Sequence, residues 1–162
     1  MAKSIAPSVK VLLEMVDQAF NKRAWHGANL KDSLKGLTLK QLLWRPGPKR
    51  HNIWEVAVHT AYWKYTVYRQ LADAPKNSFP RTPSNFPKIP DKPSMKLWKE
   101  DLALLDDYHA KFKKAIQKLT ARDLDKKIVG KRWTTAQKII GVASHDLYHT
   151  GQIQLLKRLM KK

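Results

Sequence analysis

Six of the chain's nine prolines, Pro75, Pro80, Pro83, Pro87, Pro90 and Pro93, fall within residues 73–93. At that density proline stops helix and favours extended backbone, because its ring fixes φ and removes a hydrogen-bond donor. The segment separates two regions with helical patterning, and it governs how they can meet. At ~3.1 Å per residue, about 20 residues reach ~60 Å, against ~30 Å for a 20-residue helix. The helices on either side therefore need not be antiparallel neighbours. An all-α four-helix bundle with one long crossover is the economical architecture.

Four long helices are expected, and no strand. The first runs from about Pro7, a residue suited to the first helical position, to about Trp25, with Val9, Leu12, Leu13, Val16, Ala19 and Phe20 on one side. Short helical pieces follow around Leu30–Leu34 and Leu39–Trp44, closed by Arg45-Pro-Gly-Pro48. The second long helix opens on the capping box Asn52-x-x-Glu55 and continues to about Leu71. The third starts after Ser94, a good N-cap, and carries the stripe Trp98, Leu102, Leu105, His109, Phe112, Ile116 and Leu119. The fourth opens on a second box, Thr134-x-x-Gln137, and runs to about Met160.

Length and composition fit one domain, 1–162, with 43% hydrophobic residues to build a core. No apolar run approaches 18 residues and the N-terminus has no secretory pattern, so the expectation is a cytoplasmic protein with no membrane insertion. Thirty-two Lys and Arg against 13 Asp and Glu give a net charge of +19. Such a charge suits polyanions in general. Yet the cations are spread through the sequence, with one dense stretch from Lys111 to Arg132, and no nucleic-acid-binding motif accompanies them. A solvated basic surface with weak, non-specific polyanion binding is expected, and no specific nucleic acid partner.

The chemistry gathers on histidine. His145 and His149 stand four residues apart on the fourth long helix, so both imidazoles leave one face about one turn apart. They lie within an apolar stripe of Val142, Ile153, Leu156 and Leu159, where their nitrogens need partners. A shared divalent metal is one answer; hydrogen-bonded core histidines are the other. The run His145-Asp-Leu-Tyr-His149 is similar to the zinc-protease pattern, but no His, Asp or Glu follows His149 to complete such a site. With no cysteine in the chain, any metal sits on His, Asp or Glu.

A third ligand must come from another helix. The second long helix carries a polar strip of Asn52, Glu55, His59, Thr66 and Gln70, within about 40° of His59 and free of Lys and Arg. His109 lies inside the third helix's apolar stripe and competes. The arithmetic leans to His59 and leaves His109 open. His26 and His51 fall in connections, where solvation is the ordinary expectation.

Three stretches carry a resemblance: Leu42-Leu-Trp-Arg-Pro46, the run His51 to Tyr65 with His59 at its centre, and Ala143-Ser-His-Asp-Leu-Tyr-His-Thr-Gly-Gln-Ile-Gln-Leu-Leu-Lys157. Together with Phe79-Pro-Arg and Pro83-Ser-Asn in the crossover, the chain resembles the DinB-like family of metal-binding four-helix proteins. The resemblance implies metal ligands at His59, His145 and His149, an up-down-down-up bundle, and a core or pocket-wall role for His109. It also implies a homodimer, and a hydrolase or thiol-dependent transferase acting on a small-molecule substrate.

Three imidazoles leave a metal position open, as in catalytic sites. Zn, Ni or Fe suits them, and a low-molecular-weight thiol is a candidate co-substrate. Glu55, one turn before His59, is the candidate catalytic carboxylate behind the ligands, against a plain role in its capping box. Tyr62, Trp63, Tyr148 and Gln152 are candidate pocket walls. The rival reading is a non-catalytic metal-binding or stress-response module. A second apolar side of the last helix, Ile140, Ala143, Leu147 and Gly151, offers a dimer face.

Overall fold

The computed structural model describes residues 4–76, 78–83, 85–128 and 132–161. Among these the protein is all-helical, with seven helices: α1 (Pro7–Phe20), α2 (Leu30–Leu34), α3 (Leu39–Leu43), α4 (Ile53–Ala72), α5 (Met95–Gln117), α6 (Ala121–Leu124) and α7 (Thr135–Leu159). Four are long and follow the apolar stripes. Of the expected boundaries one moves appreciably. The first helix ends at Phe20, and the chain turns through residues 21–27, where Ala24 and Gly27 form an isolated bridge. Trp25 is left fully exposed. The one-turn α6 was not expected. Thr120 and Asp123 cap it reciprocally inside the dense basic stretch, of which Val129–Lys131 lie outside the described residues.

Both expected capping boxes form. The Asn52 and Thr134 side chains accept from the backbone N–H groups of Glu55 and Gln137, whose side chains accept in return from the cap backbones. Each such cap contributes about 1 kcal/mol. More to the point, each fixes where its helix begins, and therefore which residues face inward one and two turns later.

The long helices pack through named pairs. Trp54 of α4 meets Trp98 of α5 edge-on, and Tyr65 meets Tyr108 further along, so α4 and α5 run in the same direction. A buried carboxylate ties that layer to the proline-rich segment. Asp101 accepts from Trp54 Nε1 at 2.7 Å and from Arg81 Nε at 2.7 Å. His59 meets His145, while Gln70 accepts from Lys138 at 3.0 Å, so α4 and α7 are antiparallel. Two apolar clusters fill the interior: one around Trp54, Leu42, Leu105 and Ile153, the other around Val9, Phe112, Ile139 and Val142.

One part of the interior departs from the expectation of a solvated basic surface. Lys64, between Trp63 and Tyr65 on α4, is fully buried and ion-paired with buried Asp146 of α7. Its ammonium also lies 5.1 Å from the centre of the Phe20 ring. Burial pushes the Lys64 pKa down and the Asp146 pKa up, and their mutual contact opposes both. His109 also packs on Phe20, stacked at 3.6 Å. Its Nε2 is 3.6 Å from an Asp17 oxygen that Lys113 engages at 2.6 Å.

Candidate metal centre

The antiparallel pairing of α4 and α7 brings His59 against His145 and His149. His59 lies two turns beyond the Asn52 cap, and α7 supplies the other two from adjacent turns. Nε2 of His145 is 3.0 Å from Nε2 of His59 and 3.0 Å from Nε2 of His149. The ligand atoms of all three residues fall within 4.8 Å of one another. Zinc–nitrogen bonds of ~2.0–2.1 Å in tetrahedral array place neighbouring nitrogens ~3.3 Å apart, close to what the chain provides.

Hydrogens alone do not satisfy this arrangement. His59 Nδ1–H donates to the Asn85 backbone carbonyl at 2.5 Å, and His149 Nδ1–H donates to Gln152 Oε1 at 2.7 Å. A carbonyl oxygen only accepts, so both hydrogens are held on Nδ1 and each neutral ring turns a lone pair inward at Nε2. His145 Nε2 carries at most one hydrogen. At least one of the two 3.0 Å contacts therefore brings lone pair against lone pair, a repulsion that a shared cation converts into coordination. The two Nδ1 bonds are also the kind that fix tautomer and ring angle at metal sites. His145 Nδ1, by contrast, is buried without a partner on the chain.

Electrostatics point the same way. Burial pushes His59 down to about 4 and His145 down to about 3, and it lowers His149 as well, with neighbouring rings and Lys64 adding to the effect. All three are neutral at pH 7, the form in which imidazole binds metal. Of the competing histidines, His109 is buried but remote from this cluster, stacked on Phe20. Burial and nearby lysines push it down to about 2. His26 is exposed in the turn after α1.

His51 has a part that sequence reasoning missed. It stacks on Phe86 at 3.8 Å, and Phe86 stacks on His59 at 3.9 Å, each pair within 8° of parallel. Asn85 is the other missed residue. At φ +81° it turns its carbonyl to His59, while its side-chain Oδ1 accepts from Trp63 Nε1 at 3.0 Å. Asn is among the few residues that adopt this left-handed conformation readily. A turn-forming Asn85 followed by the aromatic Phe86 between Pro83 and Pro87 was the available signal.

Glu55, the candidate carboxylate, is committed elsewhere. Its two oxygens accept from Arg45 at 2.6 and 2.7 Å, and one also meets the Asn52 N–H and His51 Nδ1. Burial raises its pKa, but these bonds outweigh that and hold it below the usual carboxylate range. It does not border the cleft. It meets His51, which stacks on Phe86 and through it on His59, and it closes the capping box with Asn52.

The three histidines sit in the wall of a cleft of about 1250 Å³ between α4 and α7. Trp63, Tyr148 and Gln152 line it as expected. Tyr62 does not; it packs against Phe79 and Tyr65 on the other side of α4. The remaining lining is mainly apolar, with Arg50, His51, Thr66, Asn85, Gln137 and Lys138 as polar exceptions and no Asp or Glu among the described residues.

No curated protein and no solved structure matches the chain. A family model does, the one described as DinB superfamily, over residues 23–153. That span contains all three clustered histidines, the Asn85–Phe86 clamp and all of the cleft's lining except Leu155 and Leu156. The match extends over most of the chain, and the chain belongs to the DinB superfamily.

Proposed function

We propose that this protein is a metal-dependent enzyme that joins a low-molecular-weight thiol to a small-molecule substrate, using His59, His145 and His149 as metal ligands. The observation that carries the reading is the convergence of three neutral Nε2 atoms on a cleft whose lining, among the described residues, holds no carboxylate. A divalent metal there, Zn, Ni or Fe, supplies a Lewis acid that lowers the pKa of a thiol or water brought to it.

The chain's own residues do the rest. Asn85 and Gln152 hold two of the rings with lone pairs inward. Phe86 keeps the His59 ring from tilting. Trp63, Tyr148 and Val142 make an apolar wall that displaces water around the reacting groups. With no Asp or Glu on the cleft to take a proton, a nucleophile that ionises readily is favoured over water, and a thiol has an ordinary pKa of ~8.5. The chain has no cysteine, so the thiol enters as co-substrate. A three-imidazole set suits hydrolysis too, and that is the second reading.

We read the fold around this centre as a single 1–162 domain, an up-down-down-up four-helix bundle of α1, α4, α5 and α7 with residues 73–94 as the long crossover. The parallel α4–α5 pairing supports it. A cytoplasmic location accords with the lack of cysteine, and no described helix is long and apolar enough to cross a membrane. A homodimer through α7 is part of the proposal. Of its expected face, Ala143 is buried and Leu147 packs within the chain, while Ile140 and Gly151 are exposed. Light scattering in ~150 mM salt, where the Debye length is about 8 Å, tests this; the mass of one chain across a tenfold concentration range would remove it. Polyanion binding, if measured, is to be non-specific and to fall steeply with salt.

Cobalt substitution tests the enzyme reading. Titrating the cobalt protein with 2-mercaptoethanol is expected to produce a thiolate-to-cobalt absorption band, and azide a shifted visible spectrum. A spectral response to azide with none to thiol favours the hydrolase. No response to either at saturation identifies a non-catalytic metal-binding module.

A further inference from the structure

The cleft extends well past the histidines, and its far end is chemically distinct. On α4, Thr66 lies seven residues beyond His59; on α7, Lys138 lies seven residues before His145. Seven residues are almost two full turns, so each pair shares a helix face at ~10 Å separation. Because α4 and α7 are antiparallel, Thr66 and Lys138 lie toward the same end of the cleft, and both line it.

Each is incompletely used by the fold. The Thr66 hydroxyl is buried with no hydrogen-bond partner, although a helical threonine ordinarily bonds back to a preceding carbonyl. Lys138 Nζ is held at 3.0 Å by Gln70 Oε1, a neutral acceptor that orients the ammonium without cancelling its charge. It takes part in none of the ion pairs among the described residues. Between this end and the histidines the floor is Gly141, where an added Cβ would meet nothing within 4 Å. A glycine in mid-helix is unfavourable by about 1 kcal/mol against alanine; here its lack of a side chain leaves open space at the cleft wall.

We propose that the cleft takes an elongated acid: an apolar chain of about 10 Å lying over Gly141, its carboxylate on Lys138 and the Thr66 hydroxyl, its reacting end at the three histidines. The substrate class is thus an amphipathic carboxylate. The last clause rests on the proposed enzyme reading, whereas binding of the acid at Lys138 does not.

The probes are octanoate and octanol, titrated into metal-free protein and followed by calorimetry and by the fluorescence of Trp63 and Trp133, both on the cleft. Octanoate is expected to bind about tenfold more tightly than octanol, as for a partly desolvated ion pair with one added hydrogen bond. Lys138→Gln should erase that difference. Lys99→Gln, an exposed lysine on α5 that changes the net charge equally, should preserve it. Gly141→Leu should abolish binding of both probes, with its helical circular dichroism confirming the fold. Equal binding of octanoate and octanol by the wild type, or equal behaviour of Lys138→Gln and Lys99→Gln, overturns the proposal. His145→Ala separates the two readings. It is expected to lose metal and keep octanoate, whereas a protein that binds metal but does not prefer octanoate refutes the acid site alone.

Discussion

Replacing Asp146 by asparagine removes the counter-charge of a lysine from which water is wholly excluded. Lys64 and Asp146 are 1% and 2% exposed at their side chains, so solvent offers the remaining ammonium nothing. The lysine can escape only by losing its proton. From its ordinary 10.5 that costs about 1.36 kcal/mol per unit, hence about 5 kcal/mol at pH 7 and about 2 kcal/mol at pH 9. These are ceilings, because the asparagine carbonyl still accepts one hydrogen bond.

The sign follows from linkage. In the variant the folded-state pKa of Lys64 is depressed, so between pH 7 and 10 the unfolded chain binds a proton that the folded chain does not, and stability rises with pH. Urea denaturation of Asp146→Asn and wild type at pH 7 and pH 9 reads this directly. The variant is expected to lose several kcal/mol at pH 7 and to recover about 3 kcal/mol of the difference by pH 9. Pairing the change with Lys64→Met should restore most of the loss at both pH values. A loss of under 1 kcal/mol at pH 7, or one independent of pH, would refute the picture of a charged pair in a dry core.

Three further outcomes follow. His109 is neutral in the fold, with its pKa pushed to about 2, so it contributes stability that is complete above ~6.5 and is lost as pH falls toward the folded value; His109→Gln should flatten metal-free denaturation curves between pH 6 and 4 by up to about 1 kcal/mol per unit. Gly141→Ala meets open space and should raise the melting temperature, by an amount corresponding to up to about 1 kcal/mol. Asn85→Ala strains a backbone at φ +81° and frees both Trp63 and His59, so metal affinity measured by chelator competition should fall about tenfold or more, whereas Asn85→Gly keeps the conformation and should lose less.

Much of the fold was legible because it is written in periodicity and caps. The Asn52 and Thr134 boxes start α4 and α7, and those starts place His59 on one helix face and His145 and His149 together on another. Local signals placed the long helices, missing only the end of α1 and the one-turn α6; what depended on a partner distant in sequence was harder to see. Nothing local marks Lys64 as buried, because its counter-charge is 82 residues away, on a helix whose register against α4 no local pattern states. Asn85 and Phe86 were hidden for a similar reason, since a proline-rich segment has no period to show which side chain returns to the core. The choice between His59 and His109 was open on pattern, since both lie on inward faces. Only the antiparallel pairing of α4 with α7 separates them, placing His109 beside Phe20 instead.

The central claim is that three histidines from two helices hold one metal. Metal content after chelation and reloading, measured by mass spectrometry of the elements, is its most direct test. One divalent ion per chain is expected for wild type and for His109→Ala, with loss of at least 90% (roughly a tenfold or greater fall in affinity per missing ligand) for His59→Ala, His145→Ala and His149→Ala. Retention of a full equivalent by any of those three, or its loss from His109→Ala alone, would contradict the account.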